Sequence, residues 1–260
     1  MKDMFAAMEA GEVIVGHWVA SASTTMVELV GHSGADVVAI DCEHGALSPY
    51  GPQLEACVRA AYAADVAPIV RVPSHDGVQI ANVADAGAKG IIVPHVNTPQ
   101  ELEDAIAHVK YPPLGNRGCS STVPAARFGF QPWDEYLAEA NATVEVIPLL
   151  EEPRVFQDLD AVLAVEHLRA VAIGPVDLAA RLGGVGDPGA SARVEELLAA
   201  LVAACAPRNI SVIDGAWDLE TFQRKVAAGV KGIMYATDVS LLAGAIRTQM
   251  GPVRDFLAAR

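Results

Sequence analysis

Eight short runs of β-branched and small apolar residues, separated by segments of helical character, set the narrowest limit on how this 260-residue chain can fold. The runs are 13–19, 37–40, 68–72, 90–93, 144–150, 171–173, 210–213 and 232–235. Between most of them lie Ala/Leu/Glu-rich stretches with helical spacing: 25–30, 52–64, 99–109, 154–165, 194–204 and 220–228. Such alternation, near 250 residues and without an internal linker, predicts one α/β domain over 1–260, a single (β/α)8 TIM barrel. A doubly wound sheet is the competing arrangement, because alternation alone does not exclude it. With 52% hydrophobic but only 5% aromatic residues, and 22 Gly, the composition suits tight helix-on-sheet packing better than an all-β sandwich.

Boundary signals agree with this division. Ser48-Pro49 and Thr98-Pro99 each put a capping hydroxyl before a proline at the first helical position, and Glu101 completes a capping-box spacing with Thr98. Gly87 and Gly229 stop helices just before strands. The final segment, 238–260, is a C-terminal helical extension, long for a closing helix and interrupted by Gly251-Pro252. Its tail is expected to reach a neighbouring subunit.

The net charge of −14, from 32 acidic and 18 basic residues, would repel polyanions. No basic patch offsets it, so neither nucleic acid nor an anionic membrane surface is an expected partner. Cys42, Cys57, Cys119 and Cys205 form no C-x-x-C pair or zinc-like spacing, which suggests a reducing compartment. The N-terminal residues do not read as a signal peptide. No apolar run approaches the roughly 18 residues of a membrane span. A cytoplasmic location is therefore expected.

Polar residues at the C-terminal ends of strands are not explained by hydrophobic patterning. In "DVVAIDCEHGALS" a buried-looking run turns into Asp41, Glu43 and His44. Leaving even neutral polar groups buried and unpaired costs roughly 2–7 kcal/mol, so these groups either pair at the rim of the sheet or do chemistry. The third run ends on Arg71, the fourth in Pro94-His95, and the fifth in Glu151-Glu152; Asp177 follows the sixth, and Asp214 ends the seventh. In a barrel these positions converge on one face, where active sites form. Glu151 and Asp177 make a minimal ligand set for a hard divalent cation. His44 supplies a base titrating near neutrality, and Arg71 a cationic fork for a carboxylate or an oxyanion. Together they describe deprotonation beside a polarised carbonyl, which is enolate chemistry. Taken singly, Asp41 or Glu43 reads as structural and Arg71 as an ion-pair partner. Asp85 sits late in a helix, where the dipole disfavours an acid, and an exposed charge is its plain explanation. "GVGDPG" with Gly184, Gly186 and Gly189 follows a helix rather than a strand, so it reads as a loop over the barrel mouth and not as a dinucleotide site.

The segments "AIDCEHG", "IVRVPSHD", "ADAGAKGIIVPHVNTPQE", "YPPLGNRG" and "IGPVDLAARLG" together resemble the HpcH/HpaI family of class II, metal-dependent pyruvate aldolases. The likeness runs in order from about residue 13 to about 245. It implies a barrel whose Mg2+, Mn2+ or Co2+ is held by Glu151 and Asp177. It implies that His44 acts as base through a bound water, that Asp85 tunes its basicity, and that Arg71 stabilises the enolate oxygen. Backbone N–H groups of Val176 and Gly174 would hold the pyruvate carboxylate. The resemblance also implies assembly as homotrimers or homohexamers through exchanged C-terminal helices. Two positions depart from the family pattern: Leu149 stands where many members carry a substrate-touching Gln, and Glu152 where Thr or Ser is common. The expected activity is cleavage or formation of 4-hydroxy-2-oxo acids from pyruvate or hydroxypyruvate and an aldehyde. An acyl-CoA lyase, an oxaloacetate decarboxylase and a non-catalytic 2-oxo-acid-binding barrel are the alternatives.

Overall fold

Each of the eight apolar runs forms a strand: β1 (Ile14–Val19), β2 (Val37–Asp41), β3 (Ala67–Arg71), β4 (Gly90–Val93), β5 (Glu145–Leu150), β6 (Ala170–Ile173), β7 (Ser211–Ala216) and β8 (Gly232–Thr237). They pair in parallel in chain order and β8 closes on β1. The computed structural model describes residues 1–260 and is a (β/α)8 barrel. Strand side chains alternate between two environments. Val37, Ala39, Ile69, Ile147 and Ile213 fill the barrel interior, whereas Val38, Ile40, Val70 and Val146 pack beneath the helices.

The helices are α1 (Met4–Glu9), α2 (Thr24–His32), α3 (Pro52–Ala63), α4 (Gly77–Ala86), α5 (Pro99–Val109) and α6 (Trp133–Thr143), then α7 (Leu159–Leu163), α8 (Pro175–Leu182), α9 (Pro188–Cys205), α10 (Leu219–Ala227) and α11 (Asp238–Ala258). The Thr98/Glu101 capping box forms as the sequence predicts, and Gly87 ends α4 at φ 105°. Nothing in the sequence patterning foreshadowed α1. It is capped by Asp3 and buries Met4, Phe5, Ala7 and Met8 in the interior cluster. Arg169, just before β6, pins its Glu9 through contacts of 2.6 and 2.9 Å. The N-terminal end of the barrel is thereby plugged, leaving the opposite end for a site. No helix is long and apolar enough to cross a membrane.

Several boundaries differ from expectation. The proline that opens α3 is Pro52, not Pro49; Gly51, at φ 101°, supplies the turn into it, and the Ser48 hydroxyl accepts from Tyr50 N–H instead. The stretch 154–165 splits into a 3-10 turn, Pro153–Gln157, and the short α7. Helix α11 runs through Gly251-Pro252 without ending. Pro252 removes one helical donor, but both residues lie on a largely solvated helix where water can satisfy the freed carbonyl. The glycine-rich loop 183–187 joins α8 to α9, with Asp187 capping Ala190 N–H at 2.7 Å, and none of its residues lines the cavity at the barrel mouth.

Candidate active site

The register of the sheet builds one wall of the site. Asp41 and Arg71 are cross-strand partners at the ends of β2 and β3. Arg71 Nε and Nη2 donate to the two Asp41 carboxylate oxygens at 2.9 and 2.8 Å, a bidentate pair. Glu43 follows two residues after Asp41 and turns to the same side, placing Oε2 3.2 Å from Arg71 Nη1. The guanidinium lies over the Trp18 ring, 4.6 Å from its centroid. Burial alone would raise the Asp41 carboxyl, but the Arg71 bonds and charge, with the Glu43 and His44 backbone N–H groups, hold it below the usual range. Burial would lower Arg71, and its acidic neighbours, Asp41 first, raise it instead.

The opposite wall is built from β5, β6 and α8. Glu151 follows β5 and is buried, with Oε1 accepting the His95 backbone N–H at 2.7 Å. The His95 ring reaches the same oxygen, Nδ1 to Oε1 3.0 Å, while its Nε2 lies 3.8 Å from Glu43 Oε1. His95 adopts this bridging pose at φ 55°, in the left-handed region. Burial pushes the Glu151 carboxyl up, His95 offsets part of that, and the charges of Glu43 and Asp177 push it further. Gly174 is required beside it, because a Cβ there would sit 2.5 Å from Glu151 Cβ. Pro175 opens α8, so the N–H groups of Val176 and Asp177 meet the cavity without helical acceptors. The Asp177 carboxylate, also in this first turn, is half exposed and 3.1 Å from Arg181 Nη1.

His44 lies on the loop after β2, its side chain 68% exposed at the mouth. The loop is held by Asp41 Oδ1, which accepts from Glu43 and His44 N–H, and by Ala46 N–H donating to Ala20 O at 3.1 Å. Gly45 packs so closely that a Cβ would meet Asp41 O at 2.1 Å. A cavity of about 300 Å³ between the walls is lined by His44, Arg71, Glu151, Gly174, Val176 and Asp177, six of the seven residues singled out from sequence.

The seventh, Asp85, does not join them. Its carboxylate is held by the fully buried Arg117 guanidinium, which also stacks 4.6 Å over Tyr111. That pair ties the excursion between α5 and α6 to α4, and it explains an acid late in a helix; no hydrogen bond or ion pair links Asp85 to His44. Two further expectations change. Gly174 N–H is spent on Leu150 O at 3.0 Å, so the donors available to a carboxylate are those of Val176 and Asp177. Strand β7 continues past Asp214 to Ala216, which turns Asp214 toward the helix layer, where it pairs with buried Lys225 on α10. Asp41 and Glu43, each read singly as structural, both pair with Arg71. Sequence reasoning placed His95 at a strand end without giving it a role, and missed Trp18. The position of His95 at a strand end was a signal; the stacking of Trp18 under Arg71 left none.

Residues 15–245 match the model of the HpcH/HpaI aldolase/citrate lyase family. The chain belongs to this family. Its relatives include a 4-hydroxy-2-oxovalerate aldolase of Novosphingobium aromaticivorans, 37% identical over 79% of this chain and 78% of that protein. A 5-keto-4-deoxy-D-glucarate aldolase of Escherichia coli is 35% identical over 70% of each chain. A crystal structure of an HpcH/HpaI aldolase/citrate lyase family protein from Burkholderia cenocepacia superposes with TM-score 0.88 at 30% identity, covering 98% of this chain and all of that one. Membership in the HpcH/HpaI family makes the chain an enzyme of the aldolase and lyase group.

The donor set fits a hard divalent cation. Glu151 Oε2 accepts no hydrogen bond from the protein, and the carboxyl is crowded by the negative charges of Asp177 and Glu43, a repulsion that a cation between Glu151 and Asp177 would relieve. No cluster of three or more His, Cys, Asp or Glu ligands occurs. Two carboxylates leave most of a coordination shell for water and substrate oxygens, as magnesium and manganese accept.

Proposed function

We propose that this HpcH/HpaI enzyme is a divalent-cation-dependent aldolase. It cleaves or forms 4-hydroxy-2-oxo acids, with pyruvate or the close relative hydroxypyruvate as nucleophile and an aldehyde as acceptor. One observation carries the reading: a crowded carboxylate pair, Glu151 and Asp177, faces a base and a guanidinium, His44 and Arg71, across one cavity. A cation held by Glu151 and Asp177, whether Mg2+, Mn2+ or Co2+, would supply Lewis-acid stabilisation of charge on the 2-oxo group. The N–H groups of Val176 and Asp177 at the start of α8 bind the substrate carboxylate. In cleavage His44, through a water, takes the proton of the C4 hydroxyl while the C3–C4 bond breaks. The electron pair passes to the C2 oxygen, whose charge the Arg71 guanidinium would stabilise; its Nε and Nη2 bind Asp41 and its Nη1 lies 3.2 Å from Glu43 Oε2. Return of a proton to C3 completes the 2-oxo acid, and the aldehyde leaves through the mouth.

The reading is tested by deuterium exchange into the pyruvate methyl group, followed by NMR in D2O, with chelator-stripped protein compared against protein given magnesium or manganese. Exchange should require the metal. His44→Ala should slow turnover by about 10²–10⁴-fold while leaving calorimetric metal binding unchanged. Absence of exchange with every metal, in folded protein, would overturn the aldolase reading, and loss of metal binding in the variant would make His44 a ligand instead.

The assembly is part of the proposal. Val239, Leu242, Ile246, Met250, Val253 and Leu257 form one exposed apolar stripe along α11. A stripe of that length marks a contact surface, suited to packing on another copy in the homotrimer or homohexamer that the family resemblance implies. Light scattering should return such a mass for the native chain and a smaller one for Ile246→Glu; a monomeric native chain would remove the idea.

A further inference from the structure

We infer that the aldehyde accepted by this enzyme is short and uncharged, with an apolar substituent, and that aldehydes carrying their own carboxylate are rejected. The inference rests on the aldolase reading above. The cavity, about 300 Å³, lies at the small end of ligand sites, which run from about 300 to 1,000 Å³. It must hold the 2-oxo acid as well, so little length remains for the acceptor.

Its charges are already matched. Arg71 is the one Lys or Arg side chain lining the cavity; two of its nitrogens bind Asp41 and the third faces Glu43. Lys225 is committed to Asp214 behind β7, and Arg181 to Asp177 and Glu152 outside the lining. The free N–H groups of α8 serve the first carboxylate. A second carboxylate would enter a space lined by Asp41, Glu151 and Asp177, whose other polar side chains, His44, Thr237, Trp18 and Trp217, include no further Lys or Arg to match its charge. Uncompensated burial of a charge is the most expensive outcome available to a ligand group.

The remaining surface asks for the opposite kind of group. Ile92, Leu149, Ala172, Ile213 and Met234 project into the cavity from β4 to β8, and Trp217 stands half exposed at its edge. Leu149 lies two residues before Glu151 on the inward face, beside the carboxylate pair, where a polar side chain could have oriented a hydroxylated acceptor. Here it offers only methyl groups.

The test uses the native enzyme with manganese and saturating pyruvate, and compares kcat/KM for propanal, octanal, glyoxylate and succinic semialdehyde by chromatography of the adduct. Methyl deuterium exchange is measured in the same preparations. Exchange together with at least a tenfold preference for propanal over both anionic aldehydes, and over octanal, is the expected result. Exchange with glyoxylate or succinic semialdehyde equal to or better than propanal would overturn the charge argument alone. Octanal matching propanal would overturn the size argument. A protein showing no exchange and no adduct would overturn this inference and the aldolase reading together.

Discussion

Glu151→Gln should raise the melting temperature of the metal-free protein and, in the same variant, remove metal-dependent turnover. The two effects have one cause. Glu151 is buried beside Glu43 and Asp177, and its carboxyl is raised above the usual range, so the folded state binds its proton more tightly than the unfolded chain does. Such a group lowers stability at neutral pH, and the penalty fades as pH falls through the raised folded value. Glutamine carries no charge, and its carbonyl can still accept the His95 backbone N–H that now bonds Glu151 Oε1 at 2.7 Å. The expected gain is about 2–4 °C, the shift that about 1 kcal/mol produces in a domain of roughly this size, and it should shrink on acidification. Adding magnesium or manganese should then stabilise the native protein and leave the variant unchanged, while kcat falls by at least about 10²–10³-fold. A variant that is less stable without metal, or that keeps its turnover, would show that Glu151 is a structural acid. Differential scanning calorimetry with and without chelator reads the first effect, and methyl exchange reads the second.

What the sequence made legible was whatever depends on neighbours along the chain. Runs such as Val37–Ile40 and Gly90–Val93 could bury themselves in only one kind of sheet, and caps such as Thr98/Glu101 are local chemistry, so the barrel and most of its boundaries could be read directly. The strand ends then placed Glu151, Asp177, His44 and Arg71 on one face without any knowledge of distances. What escaped depends on contacts across the fold. Asp85 looked like an unexplained charge because its partner, Arg117, lies 32 residues away in an irregular segment. Asp214 looked like a strand-end residue because the end of β7 was set two residues early; inside the strand it is the neighbour of inward-facing Ile213 and so turns its carboxylate to the helix layer. Helix α1 is only six residues long and too short for periodicity to declare it, yet it seals the barrel end that the site does not use. His95 had a visible position but no visible partner, since its contacts to Glu43 and Glu151 come from two other strands.

Arg71→Ala should be the most damaging single change to the site, costing about 3–5 kcal/mol of stability, the usual penalty for removing one partner of a buried ion pair. Asp41 and Glu43 would be left facing each other in a nearly dry space, with side chains only 6% and 10% exposed. The pH dependence carries the sign. In the native protein Asp41 is held below the usual carboxylate range, so its contribution is complete above the unfolded value of about 3.9 and is lost as pH falls through the lower folded value. Without Arg71 that contribution disappears and burial dominates, so the variant should be weakest near neutrality and recover toward acid as Asp41 takes up a proton. The gap between the two proteins in urea unfolding should therefore narrow steadily from pH 7 to pH 4. A gap that stays constant would mean that lost packing on Trp18, 4.6 Å from the guanidinium, outweighs the charge pairing. Pairing the change with Asp41→Asn removes one of the stranded carboxylates and should return much of the stability. It should not return turnover, because the C2 oxygen would still lack its donor. Recovery of both would reduce Arg71 to a fastener for the rim of β2 and β3, and would leave the site with a base and a cation but no guanidinium role.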